Sequence, residues 1–259
     1  MKKNLLIVLV CLISTSFLYS QSSVKAFDKG EFLKFRISYG LINAGIATLR
    51  LTDTVHNGIP VYHAKGIGYT TGVTKVFFKV YDNYESYFEK SNVVPHRFIR
   101  KIDEGGYTKD QEGWFNYKTM KATVKDYEKK TEKEFTVTRN VQDIVSAFYY
   151  LRKYPGLNDL KVGESIEIDM FFDGEIFKFK LKYLGEEVLK TNFGKLKTLK
   201  FRPYVMAGRV FKEKESLTVW VSSDSNKVPV RIKASLAVGS LKADLEDYKN
   251  LVTKLKFEK

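Results

Sequence analysis

Cysteine is all but missing from this sequence. The only one, Cys11, lies inside an apolar run near the start of the chain. Once that run is cleaved away, the remainder can form no disulfide, offer no thiolate nucleophile and build no cysteine-based metal site. An oxidising compartment permits disulfides without requiring them, and a chain of this length buries enough surface to stand without such staples. Histidine is nearly as scarce, with His56, His63 and His96 the only three. None has a second histidine or a carboxylate at metal-ligand spacing on a helix. His56 reads as a turn residue beside Asn57-Gly58, and His63 and His96 as ordinary strand residues. There is no G-x-S-x-G nucleophile elbow, no phosphate-binding glycine loop and no dinucleotide fingerprint. Asp82, Glu85 and Glu89 fall in a tyrosine-rich strand pattern where only Glu85 and Glu89 share parity, and they read as a solvated strand face. These absences leave no catalytic residue, cofactor or metal ligand to nominate, and the ligand-binding residues unassigned.

Long apolar runs are also lacking. Leu5 to Tyr19 contains Ser14, Thr15 and Ser16 and falls short of the roughly 20 apolar residues a spanning helix needs. With Lys2 and Lys3 ahead of it and Ser20 before Gln21, the stretch reads as a signal peptide over residues 1–20, which leaves one β-rich domain over 21–259. A lipoprotein signal ending at Cys11 does not fit, because that cysteine follows Val10 within the apolar core. The expected address is the periplasm, with secretion as the alternative. The formal net charge is +14, which suggests an anionic partner. Export argues against nucleic acid and leaves lipid headgroups, lipopolysaccharide and acidic glycans. The lysines are spread over alternate strand positions, and even Glu128 to Glu134 mixes signs. A solvated basic surface is therefore the preferred reading over one specific anion site.

What the sequence does contain is period-two alternation, the sign of half-buried strands. Leu33, Phe35, Ile37 and Tyr39 alternate with polar residues, and Phe177, Phe179, Leu181 and Tyr183 alternate with lysines. Asn57-Gly58 and Asp173-Gly174 are strong two-residue hairpin signals. Further strands are expected at 46–54, 59–69, 80–89, 96–103, 107–117, 121–127, 134–139, 196–201, 216–221, 230–238 and 241–248. One segment has helical spacing instead: Val141, Ile144, Val145, Phe148 and Leu151 predict a helix over 141–154, with Asn140 as its N-cap and Pro155-Gly156 as its stop. A weak echo between Gly30-Glu31 and Gly163-Glu164 would give two related β halves, 27–139 and 157–259, flanking that helix; chance is the preferred explanation. Aromatics are abundant, with 19 Phe, 16 Tyr and 2 Trp. The pairs Phe77-Phe78, Trp114-Phe115 and Phe171-Phe172 would place bulky side chains on both faces of a strand. Either a filled core or an apolar cavity accounts for them.

The C-terminal region runs Leu217 to Asp224 (LTVWVSSD), Lys227 to Ile232 (KVPVRI) and Val238 to Leu245 (VGSLKADL). Earlier come Gly30-Glu31, Ser38-Tyr39-Gly40, Asn43-Ala44-Gly45 and Asp143 to Arg152 (DIVSAFYYLR). Together these resemble the DUF3108 family of exported bacterial proteins over essentially the whole chain after the leader, and the leader is similar to those of the Bacteroidetes. The resemblance implies a predominantly antiparallel β protein. The family is one of unknown function, so it brings no catalytic residue with it.

The fold expected is mainly all-β: a strongly curved antiparallel sheet or open β-barrel of about ten to fourteen strands, with the one helix packed against it or plugging it. The function expected is that of a non-enzymatic, exported cell-envelope protein binding a hydrophobic or amphipathic envelope molecule in a β-cavity. Its candidate partners are lipid, lipopolysaccharide or an envelope protein. The alternatives are an interaction module in envelope assembly with a filled core, and a glycan- or lipid-acting enzyme whose carboxylates meet only in the fold.

Overall fold

A computed structural model describes residues 25–205 and 217–258; the leader read at 1–20 lies outside them. The chain runs β1 (Phe32–Tyr39), β2 (Ile42–His56), β3 (Ile59–Thr70), α1 (Gly72–Phe77), β4 (Tyr81–Glu89), β5 (Pro95–Glu104), β6 (Tyr107–Asn116), β7 (Lys121–Asp126), β8 (Thr131–Thr136) and α2 (Ile144–Arg152). It continues with β9 (Ser165–Phe172), β10 (Glu175–Thr191), β11 (Gly194–Val205), β12 (Leu217–Ser222), β13 (Pro229–Ser235), β14 (Ser240–Lys249) and β15 (Phe257–Glu258). All the strands join one antiparallel sheet. Two meanders, β1 to β8 and β9 to β14, become continuous where β1 pairs with β14, and β15 adds a short rung to β11. The hairpin signals hold. Asn57 and Gly58 sit at φ 48° and 78°, and Asp173 and Gly174 at 51° and 84°, the left-handed pair a tight hairpin demands.

The sheet is curved but open. Its register slips between Lys34 and Phe35, Ile37 and Ser38, Tyr87 and Phe88, and Tyr183 and Gly185, and each such bulge bends a strand and adds twist. Curling brings the two edges together through side chains: Phe135 of β8 lies 5.7 Å from Phe171 of β9, ring centre to ring centre. No ladder closes them. Instead the chain after β8 runs alongside β9, where the Gln142 amide donates to the Asp169 carbonyl and the Phe171 amide to that of Gln142.

That pairing corrects the predicted helix. Residues 141–142 are held extended against β9, so the helix begins at Ile144, and Asp143 rather than Asn140 is its N-cap. The Asp143 carboxylate accepts from the Val145 and Ser146 amides at 2.8 Å each, and the Asp143 amide donates to Ser146 Oγ, a reciprocal capping box. β8 is also displaced, from the expected 134–139 to 131–136. A second helix, α1, was not expected; it holds Phe77, which with Phe78 was assigned to a strand, and both rings are exposed.

The core fills around α2. Tyr149 is fully buried among Phe27 and Phe88, at 4.8 and 5.2 Å between ring centres. Phe148 packs on this cluster and also on the one around Leu33, Phe35, Trp220 and Leu245. Arg152, at the end of the helix, is buried against the carboxylate of Glu31.

Candidate functional site

In an antiparallel sheet, residues directly opposite one another share a face. Tyr84, Arg100, Gln111, Asp126 and Thr131 therefore form one row across β4 to β8. Ser86, Phe98, Gly113, Val124 and Lys133 form the next, and Phe115, Ala122 and Phe135 part of a third. Polarity falls from the first row to the third. The start of α2 and the β9–β10 turn close over these rows, leaving a cavity of about 340 Å³. Its shape depends on two glycines: a Cβ at Gly174 would come 2.6 Å from Phe135 Cε1. A Cβ at Gly113 would come 2.1 Å from Phe98 Cε1, so only glycine lets that ring lie across β6.

Arg100 and Lys109 supply the charge at the mouth. Arg100 Nη1 and Lys109 Nζ both donate to Asp173 Oδ1, at 2.5 and 2.7 Å. Burial pushes the Asp173 carboxyl up, but these two cations outweigh it and hold it below the usual carboxylate range. The Arg100 guanidinium lies 4.1 Å from the centre of the Phe172 ring, within cation–π range. Its Nε is buried and has no hydrogen-bond partner among the described residues. Asp126 accepts from Gln111 Nε2 at 3.0 Å and from the Lys129 amide at 2.9 Å. Burial raises it, yet those donors leave it lowered.

Deeper in, Asp143 accepts from Ser86 Oγ at 2.6 Å as well as from the helix amides. Burial pushes its carboxyl up to about 6 against the pull of those donors. Each of these three carboxylates is thus engaged by the protein's own donors, while Lys129 and Lys133, which also line the cavity, form no salt bridge among the described residues. Phe98, Phe135 and Phe171 form the apolar part of the cavity wall.

The residues weighed from sequence lie elsewhere or in other roles. His63 Nε2 is 2.7 Å from Glu85 Oε2, and the His63 ring stacks on Tyr87 at 4.3 Å. His96 pairs with Glu89 at 3.1 Å. Both histidines therefore have carboxylate partners, supplied across strands rather than along a helix. Glu85 is not on a solvated face: it is 8% exposed. Burial pushes it up, but Asn83, Lys65 and His63 outweigh that and hold it down at about 2. His56 titrates lower than usual because it is partly buried and lies near His96. Among the described residues, no group of three or more histidine, cysteine or acidic side chains is placed to hold a metal. Of the pocket residues, the sequence singles out for chemistry or a cavity only Glu85 and the Phe171-Phe172 pair, because the rows exist only once the register of five strands is known.

Residues 34–246 match the model of a family described as "Protein of unknown function (DUF3108)". No curated protein matches the chain. A solved structure from Brucella abortus, described as a β-barrel-like protein of domain of unknown function DUF1849, is similar to it at TM-score 0.55 and 8% identity. That match covers 86% of this chain and 98% of the other. A DUF1089 family protein from Pseudomonas aeruginosa matches at TM-score 0.35 and 9% identity, over 92% and 99% of the two chains. At these identities the first likeness concerns the fold alone, and it agrees with the curved, open sheet; the second carries no weight.

Proposed function

The chain belongs to the DUF3108 family, and we propose that this member is a non-enzymatic, exported cell-envelope protein that holds an amphipathic anion between β4–β8 and α2. The observation that carries the reading is the cavity of about 340 Å³ whose lining sets Lys129 and Lys133, which form no salt bridge among the described residues, near Phe98, Phe135 and Phe171. A purely apolar ligand would cover those ammonium groups without compensation, which is costly. An anionic head with an apolar tail satisfies both ends, so the amphipathic half of the expectation is favoured over the hydrophobic half. The charged start, short apolar run and Ser20-Gln21 junction support export, with the periplasm as the address. Lipid or lipopolysaccharide is the ligand class that address supplies.

The test is extraction of protein purified from its native envelope, with mass spectrometry of the small molecules released. The native preparation should yield an anionic amphiphile that a delipidated preparation lacks. Lys133→Gln should lower its recovery about tenfold or more, the worth of one charge-assisted hydrogen bond. Identical spectra from the native and delipidated preparations would overturn the reading.

A further inference from the structure

Antiparallel pairing puts the β1–β2, β3–β4 and β13–β14 connections at the same end of the sheet, on neighbouring strands. They touch one another: Tyr39 Oη donates to the Val238 carbonyl at 2.8 Å, and the Thr71 amide to that of Ala44 at 3.1 Å. All three tips are apolar and uncovered. Leu41 is fully exposed, Val76 is 82%, Phe77 84% and Val238 76% exposed. Helix α1 buries none of its residues, although Val73, Val76 and Phe77 are spaced to form one apolar stripe. So short a helix draws its stability from packing rather than propensity, yet its stripe points away from the core. Exposed clusters of this kind mark an interaction surface.

Charge identifies what meets it. Residues 38–48, 69–81 and 233–243 contain Lys75, Lys79, Lys233 and Lys242 and no carboxylate. Asp103 and Glu104, at the end of β5, lie beside this tip: Asp103 pairs with Lys79 at 2.8 Å and Glu104 bridges Val80, while Lys75, Lys233 and Lys242 form no salt bridge among the described residues. Apolar tips with three unpaired lysines among them suit an interface whose outer layer is anionic and whose interior is hydrocarbon. We infer that this end of the sheet docks on an anionic lipid surface, inserting Leu41, Val76, Phe77 and Val238 below the headgroups. The same end carries the β9–β10 turn and the polar row of the pocket, so docking would bring the cavity mouth to the membrane. The inference does not depend on what the pocket binds.

Flotation with vesicles tests it, using protein purified from its native host. Vesicles of phosphatidylethanolamine and phosphatidylglycerol should carry the protein upward, and phosphatidylcholine vesicles should do so far less. Val76→Asp with Phe77→Asp should cut flotation by about tenfold or more, with an unchanged circular dichroism spectrum, because both side chains are more than four-fifths exposed. Lys75→Gln with Lys233→Gln should weaken binding to the anionic vesicles alone. Phe77→Trp should show a blue-shifted emission when those vesicles are added. Lys118→Gln, in the β6–β7 turn at the opposite end of the sheet, should float like the wild type, which ties binding to this rim rather than to net charge. Failure of the wild type to float, or equal flotation of the double aspartate variant, overturns the inference. So does a wild-type dimer that ignores vesicles and that the aspartates convert to monomer, because the rim would then be a protein interface.

Discussion

Arg152 reaches from the last turn of α2 to a carboxylate that water does not touch, since Glu31 is 0% exposed. Its Nη1 and Nη2 donate to the two Glu31 oxygens at 2.6 and 2.8 Å, Nη2 also to the Ala26 carbonyl and Nε to that of Asn226. Phe27, Phe148 and Tyr149 flank the guanidinium. A buried pair so well satisfied adds little net stability compared with apolar residues of equal volume, but breaking it strands a charge. Arg152→Met should therefore lower the unfolding free energy by about 3–5 kcal/mol, and combining it with Glu31→Leu should recover much of that loss. Urea denaturation of the two variants measures both; a single variant within 1 kcal/mol of wild type, on the order of an ordinary surface change, would sink the argument. Glu85 makes a different prediction. Its folded pKa of about 2 lies below the ordinary 4.5, so its stabilisation is complete above pH 4.5 and drains away as the pH falls towards 2. The gap in urea midpoint between wild type and Glu85→Gln should be widest near pH 6 and close by pH 2. A gap independent of pH would show that the carboxylate charge is not what its donors stabilise.

Helix α2 shows how one capping residue carries both a fold boundary and a titration. The Asp143 carboxyl rises to about 6 from an ordinary 3.8. The folded state therefore binds its proton more tightly than the unfolded state does, and this group favours folding as the pH drops from about 6 towards 4, the opposite of Glu85. Asp143→Asn keeps an acceptor for the helix amides and should abolish that dependence. Asp143→Ala should cost about 1–2 kcal/mol near pH 7 through loss of the cap, and more at pH 4.5, where the wild type also gains from the bound proton. Melting temperatures at pH 4.5 and 7, each variant against wild type, decide between these outcomes.

The helix itself was legible from the apolar spacing of Val145, Phe148 and Leu151, and the hairpins from Asn57-Gly58 and Asp173-Gly174, because those signals are local. Its start was not, because the backbone bonds holding residue 142 come from β9. Glu85 was misread for the same reason. Two of its three donors, His63 and Lys65, lie on β3, at a register no single strand announces. Helix α1 escaped notice because six residues with Val73, Val76 and Phe77 do not distinguish a helical stripe from doubled strand aromatics. The pocket, a product of five registers at once, was visible in the sequence only as an excess of phenylalanine.

At the scale of the whole molecule, the question is whether the two meanders unfold as one. β1 belongs by sequence to the first meander, yet its Leu33 and Phe35 are buried in the cluster that holds Leu189, Leu196, Trp220 and Leu245 of the second. Phe148 packs on both clusters, and Arg152 bonds to Glu31 ahead of β1 and to Asn226 between β12 and β13. Detaching either meander would expose that shared surface and break the buried pair, so a state with only one half folded pays most of the cost of unfolding and regains little entropy. Such coupling makes an all-or-none transition the expected behaviour. The sequence provides the reporters. Trp114 sits in β6 and Trp220, whose indole Nε1 donates to Glu187 Oε2 at 3.1 Å, in β12. With Trp220→Phe the fluorescence follows the first meander, and with Trp114→Phe the second. In a background that also carries Leu33→Ala, which should cost about 2–5 kcal/mol, both probes should shift to lower urea by the same amount and coincide with circular dichroism. If only the Trp220 signal moved, residues 27–139 and 157–259 would be separate folding units, and the β1–β14 seam an interface between two domains rather than the middle of one sheet.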